Sequence, residues 1–281
     1  MFKKILDFFK STKIVKKVLL ASAALSLPVF AQLAITENWY VWEIESRKSP
    51  YDQLAEVDFK RALKTDGLER CCNLKLAYKK KNTILNKLID QIRSNQVSAS
   101  PASTEHMFVD YVAIGTSYAT PAKTDVLLGN ELFRSAPDTL ILNGDNGILA
   151  FLYVNTSTGN GASTTVAAGS WSITVFDVAD ATGIVTNDRI RVQLDTGFEF
   201  ATVLSVATNE ITLTAGTALS AAPNAAGGGT VIQSWGEAAL FAGDATASVD
   251  TGTPLNRTLL EYAKDSSKEI IVEAQIIYTG V

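Results

Sequence analysis

Few residues in this 281-residue chain have the types and spacing that bond-making chemistry requires. The single histidine is His106, and a Ser-His-Asp arrangement would have to be assembled around it. No serine lies in the pattern that exposes a nucleophile on a strained strand-to-helix turn. The only cysteines, Cys71 and Cys72, are adjacent. The eight-membered ring of a vicinal disulfide is strained, and two thiolates without a nearby histidine make a poor zinc site. They read as reduced thiols. "AAGGGT" (225–230) lacks the lysine and the following helix of a phosphate loop. "NGDNG" (143–147) has oxygen ligands but neither the acidic spacing nor the terminal glutamate of a calcium loop, so it reads as a tight turn. Paired carboxylates could cleave a glycosidic bond, but no long strand repeat is visible to carry a saccharide past them. The expectation is a protein that is not an enzyme, with no metal and no cofactor.

Two other groups could bind rather than react. Lys79, Lys80 and Lys81 form a cationic run, and lysines neutralise phosphates without sequence preference. No DNA-reading motif accompanies them, so a solvated helix face is preferred to non-specific DNA contact. Trp171, Phe176, Phe198 and Phe200 fall in strand-like stretches, where alternation should send about half of them into a core and could leave the rest for a receptor or sugar.

The elements that would position these groups divide the chain in two. Residues 1–105 carry 18 Lys+Arg against 11 Asp+Glu, whereas residues 106–281 carry 7 against 18. The acidic back is rich in Gly, Ala, Thr and Val, a composition suited to strands and turns. The front reads as helical and basic over 1–96. Phe2, Ile5, Leu6 and Phe9 recur at helical spacing among lysines. Ser49-Pro50 is a plausible helix start. "LERCCNLKLAYKKKNTILNKLIDQIRSN" (68–95) places Leu74, Tyr78, Leu85, Leu88, Ile89 and Ile92 on one stripe of a helix. "VSASPASTE" (97–105) is a linker.

The uncharged run from Val18 to Thr36 has three readings. Preceded by Lys16 and Lys17, and with Ala31 at a cleavage-like position, it has the parts of a secretory signal. As a membrane span it is weak, because Pro28, Ser22, Ser26 and Gln32 interrupt it. The third reading, preferred here, is a retained segment buried against other copies or companions. Val18, Leu19, Leu20, Leu25 and Leu27, the aromatics Trp39, Tyr40 and Trp42, and the stripe residues Leu85, Leu88 and Ile92 would then form an assembly interface.

From Met107 the pattern changes to period two. "MFVDYVAIGT", "GILAFLYVNT", "DRIRVQLDTG", "FEFATVLSVAT", "NEITLT", "TLLEYA" and "EIIVEAQIIYTG" read as strands separated by Gly, Asn and Asp turns. Their spacing favours an antiparallel sandwich or barrel and leaves no room for crossover helices.

Three blocks resemble virion appendage proteins of tailed bacteriophages, the small β-domains of tail fibres and collars. In the first, Gly115, Thr116, Pro121, Leu128, Gly129, Glu131 and Arg134 follow the family order. In the second, Glu237, Ala238, Ala239, Leu240 and Phe241 do so, with Ala239 where the family usually has glycine. The third has Arg257, Lys264, Ser266, Ser267 and the strand from Glu269 to Tyr278. The region between the blocks resembles small barrels inserted into loops of such proteins, and insertion costs little where loop ends are already close. The resemblance implies an α+β chain by segregation: a helical front, then a β-sandwich (106–158 and 232–281) carrying an inserted β-barrel (159–231). It further implies a structural protein of a virion assembled in the host cytoplasm. Its partners would be its own copies and other virion proteins, with host-surface contact by the β-domains and no membrane. The rival is a secreted or membrane-anchored bacterial adhesin-like module with residues 1–31 as signal.

Overall fold

The computed structural model describes residues 34–81, 83–84, 109–142, 147–224, 226–243 and 245–279. Strands take 48% of them and helices 10%, and every strand pairing is antiparallel. The chain begins with β1 (Ala34–Arg47), helix α1 (Glu56–Asp66), the single turn α2 (Leu68–Cys71), β2 (Cys72–Lys81) and β3 (Thr83–Ile84). Next come β4 (Tyr111–Gly115), β5 (Glu131–Ser135), β6 (Thr139–Leu142) and β7 (Gly147–Val154). Six further strands follow: β8 (Ser163–Thr165), β9 (Val175–Asp177), β10 (Arg189–Leu194), β11 (Gly197–Ala207), β12 (Glu210–Leu213) and β13 (Thr230–Gln233). β14 (Trp235–Phe241), β15 (Asn256–Tyr262) and β16 (Ile270–Thr279) close the fold.

These strands make three sheets, ordered β2-β1-β16-β7-β6, β3-β15-β14-β4-β5 and β8-β13-β10-β11-β12-β9. The first two share one core. Trp39, Val41, Leu152, Val272 and Ile276 from the first sheet meet Val112, Ile114, Trp235, Leu240 and Leu260 from the second. Period-two alternation supplies these inward faces and turns Tyr40, Trp42, Phe151 and Ile271 outward. The third sheet has its own core around Phe176, Ile190, Val203 and Ile211. It curls until its edges meet, where Val166 bridges Val178 and Ala167 and Ala179 donate to Asp177 and Thr165 carbonyls.

The front departs from expectation. Within residues 34–84 only α1, α2 and a one-turn 3₁₀ stretch at Tyr51–Gln53 are helical. β1 is a central strand, paired with β16 on one side and β2 on the other, so these residues build the same sheet as the end of the chain rather than a separate helical unit. Ser49-Pro50 leads into the one-turn 3₁₀ stretch, with Pro50 at its N-cap, and helix α1 itself begins at Glu56. The stripe across 68–95 ends as a helix at Cys71, where β2 begins. Leu74 and Tyr78, four apart as on a helix, fall on opposite faces of β2, because the strand bulges at Ala77: Leu74, opposite Ile44, packs beside the helices, and Tyr78, opposite Val41, packs against the core between the sheets. The remaining stripe residues, the linker, His106 and most of "NGDNG" lie outside the described residues.

Ladder registers give the fold two distinct ends. Ala34 faces Thr279, Ile277 faces Gly147 and Asn38 faces Lys81. Three residues beyond Lys81, Ile84 pairs with Asn256 of the second sheet. Residues 1–33 and 85–108 therefore attach at one end. The third sheet attaches at the other, between Val154 and Trp235, where Ser117 bridges Asp188 and Tyr118 N donates to Asn187 O at 2.7 Å.

Candidate functional site

Once β1 alternates, the expected contact residues separate. Trp39 is 0% exposed and packs in the core between the two sheets, so it is withdrawn from the expected interface. Tyr40 and Trp42 lie half-buried on the outer face. Their rings stack with centroids 6.0 Å apart. Trp42 Nε1 donates to Glu273 Oε2 at 2.8 Å, and Lys79 Nζ lies 5.0 Å from the Tyr40 ring centroid. Val18, Leu19, Leu20, Leu25, Leu27, Leu85, Leu88 and Ile92 lie outside the described residues. Lys79, Lys80 and Lys81 stand on the exposed strand β2, opposite Tyr40, Trp39 and Asn38, so alternation divides them between two faces instead of placing them on one helix. Charge on a sheet-edge strand opposes pairing with a foreign strand.

Beside Trp42, α2 overhangs the sheet and leaves a hollow on each side. Helix α1 is held down by Phe59, edge-on to Tyr153 at 5.5 Å, and by Arg47, whose guanidinium lies 3.9 Å from the Phe59 ring centroid. Arg47 also pairs with Glu269 and donates to Tyr153 Oη at 3.0 Å. The smaller hollow, about 360 Å³, is walled by Leu63, Leu68, Phe151, Tyr153 and Ile271. The larger, about 780 Å³, runs between Trp42, Lys48, Leu68, Phe151 and Glu273. Both fall within the size range of small-molecule sites.

Burial pushes the thiols of Cys71 and Cys72 up, that of Cys72 to about 11, which suppresses the reactive thiolate at neutral pH. Glu273 is engaged by Trp42 and by Gln275 Nε2 at 2.5 Å. Among the described residues no group of three His, Cys, Asp or Glu side chains could hold a metal ion, and no helix is long and apolar enough to cross a membrane. Of the aromatics in the third sheet, Phe176 is buried and Trp171 packs against the same core, while Phe198 is 52% exposed.

Several charged residues that carry the sequence resemblance are buried. Glu237 is 0% exposed and accepts from Arg257 Nε at 2.6 Å and from Asn130 N at 3.1 Å. Arg257 continues to Asp125 at 2.5 Å and to the Ala119 carbonyl at 3.2 Å. Gly115 permits this approach, because a Cβ there would lie 2.6 Å from Glu237 Oε1. Glu131 and Arg134 pair through two 2.5 Å contacts with both side chains 0% exposed. Arg134 also reaches Thr251 O at 2.8 Å and covers Phe241 at 4.2 Å. Sequence reasoning did not find Asp188, which is fully buried where the third sheet meets the others. It accepts from Thr116 Oγ1 at 2.6 Å, Asn130 Nδ2 at 2.9 Å, and Val185 N and Gln233 Nε2 at 2.7 Å each. Four donors satisfy the carboxylate and make the junction stiff.

Lys264, 1% exposed, donates to Asn160 Oδ1 at 2.7 Å. Burial lowers its pKa to about 8. A lysine depressed below its ordinary value contributes stability that is fully present above the unfolded pKa and lost as pH falls through the folded one. Between pH 7 and 10 the wild type should therefore gain about 1–3 kcal/mol relative to Lys264→Met. Urea titrations at both pH values check this, and a difference independent of pH would refute it.

No family model, curated protein or solved structure matches this chain.

Proposed function

We propose that the chain is a non-enzymatic structural component of a tailed-phage type particle. On this reading the two sheets form a β-sandwich, and residues 163–233 are a small barrel inserted into one of its loops. The carrying observation is the polarity of the fold. The uncharged run and the Leu85–Ile92 stripe attach at one end, and the curled third sheet stands at the other. Burying about ten apolar side chains of the leader would give on the order of 15–30 kcal/mol of gross transfer energy, reduced by large ordering costs. Copies of the chain or neighbouring particle proteins are the surfaces that would cover it. Tyr40, Trp42 and the hollows beside α2 extend the contact area on the flank.

The test is a mass-spectrometric inventory of purified particles with stoichiometry, combined with antibodies raised against residues 1–33 and 163–233. A fixed copy number is expected, with the 163–233 epitope accessible on intact particles and the 1–33 epitope hidden until they are disrupted. Absence from the particle, or the reverse accessibility, would refute the reading.

The alternative is a secreted or membrane-anchored adhesin-like module with residues 1–31 as its signal. N-terminal sequencing of the natural protein separates the two: a mature chain starting at Gln32 supports export.

A further inference from the structure

Where the third sheet meets the flank of the other two, a groove of about 350 Å³ lies between β1, β2, β15 and the β10–β11 hairpin. Its charges are not balanced internally. Glu43 is occupied by Lys268, and it also accepts from Tyr262 Oη at 2.9 Å. Glu261 is occupied by Arg189. Arg191 and Lys75 also line the groove, and neither has a carboxylate within ion-pair distance among the described residues. The Arg191 guanidinium lies 4.4 Å from the centroid of the exposed Phe198 ring, and its Nε is buried without a hydrogen-bond acceptor among the described residues. That Nε is closed to solvent, so an entering acceptor would meet the terminal N–H groups of the guanidinium, which has no ion pair among the described residues.

We propose that this groove binds a monoanionic, hydroxyl-rich ring, that is, a sugar carrying a carboxylate. The arginine fork matches a carboxylate in geometry and charge, with Lys75 as the second cation. Phe198 offers a flat apolar surface to the C–H face of a ring. The lone pairs that Glu43 and Glu261 keep outside their ion pairs can accept from ring hydroxyl groups, and a polyphosphate or nucleic-acid backbone offers Phe198 no sugar carboxylate ring to seat. This inference is independent of a place in a particle: a free chain would bind equally.

The test uses the full chain, with a hexuronic-acid oligosaccharide, its neutral hexose counterpart and inorganic polyphosphate as probes, read by calorimetry or ligand-observed NMR. Binding of the uronate is expected, weakening as salt is raised, with neither of the other probes competing. Arg191→Gln should weaken it by at least about tenfold. Phe198→Ala, a change at an exposed position, should weaken it too while leaving the melting temperature unchanged. Three results would each overturn the proposal: no uronate binding by the wild type, equal binding of polyphosphate, or binding unaffected in both folded variants.

Discussion

Arg257→Met is expected to destabilise the fold by about 3–5 kcal/mol, because it removes one partner of a buried ion pair and leaves the other uncompensated. Glu237 has no water to turn to: its carboxylate is 0% exposed, and burial already raises its pKa despite the arginine. Losing Arg257 raises it further. A carboxyl raised in the folded state contributes stability present below its unfolded pKa and lost as pH rises through the folded one. The gap between variant and wild type should therefore narrow as pH falls from 7 toward 5. Replacing both partners, Arg257→Met with Glu237→Met, should recover much of the loss, since an apolar pair of similar volume is often as stable as the ion pair it replaces. Urea unfolding of the two variants at pH 7 and pH 5 provides the measurement. A single variant as stable as the wild type would show that the pair contributes nothing.

Trp39→Ala should cost a comparable amount, about 3–5 kcal/mol, from lost burial and the cavity left behind. Trp39→Phe should cost clearly less. It keeps the aromatic volume and removes an Nε1 that is buried without an acceptor among the described residues, and an unmade bond carries its own penalty. Trp42→Ala, on the half-buried outer face, should fall near 1 kcal/mol, in the ordinary range for point substitutions. If Trp39 were instead a contact between copies, its replacement would weaken self-association and leave the unfolding free energy unchanged. Sedimentation and urea titration on the same variants separate these outcomes.

The strands of the back half were legible as short apolar or alternating runs between turn signals. "GILAFLYV" is apolar throughout because Leu152 and Val154 meet the core between the sheets while Tyr153 on the other face lies under helix α1, and the alternation in "EIIVEAQIIY" is the imprint of a sheet with two unlike faces. β1 carried the same imprint, with Trp39 and Val41 inward and Tyr40 and Trp42 outward, but a four-residue aromatic cluster after a long uncharged run also resembles a contact patch. β2 was hidden because its bulge at Ala77 breaks the alternation, so Leu74 and Tyr78, spaced as on a helix, end on opposite faces of the sheet. β5, β8 and β13 are too short for alternation to register. The buried charges were harder still. Glu131 and Arg134 sit three apart, as a surface pair on a helix would, and nothing in the order of residues distinguishes that from a bidentate pair sealed beneath the 246–251 loop. Asp188 lies in an ordinary-looking turn sequence, and its weight comes from donors up to 72 positions away. Arg191 is one of two arginines in β10. Only the positions of the glutamates show that Arg189 has a carboxylate partner in Glu261, while Arg191 has none within ion-pair distance among the described residues.

The seating of β1 also determines how the molecule would answer a pull. Tension between the end where the leader enters and the pole carrying the curled sheet runs along the axis of β1, which has hydrogen-bonded neighbours on both edges over most of its length. Its ladders would then be loaded in shear, all rungs sharing the force until they fail together. Tension applied between Ala34 and Thr279 would instead peel the β1–β16 ladder one rung at a time, like a zipper. The same strand is thus a strong tether in one direction and a weak one in the other, and single-molecule stretching from the two pairs of points should return a high and a low rupture force respectively.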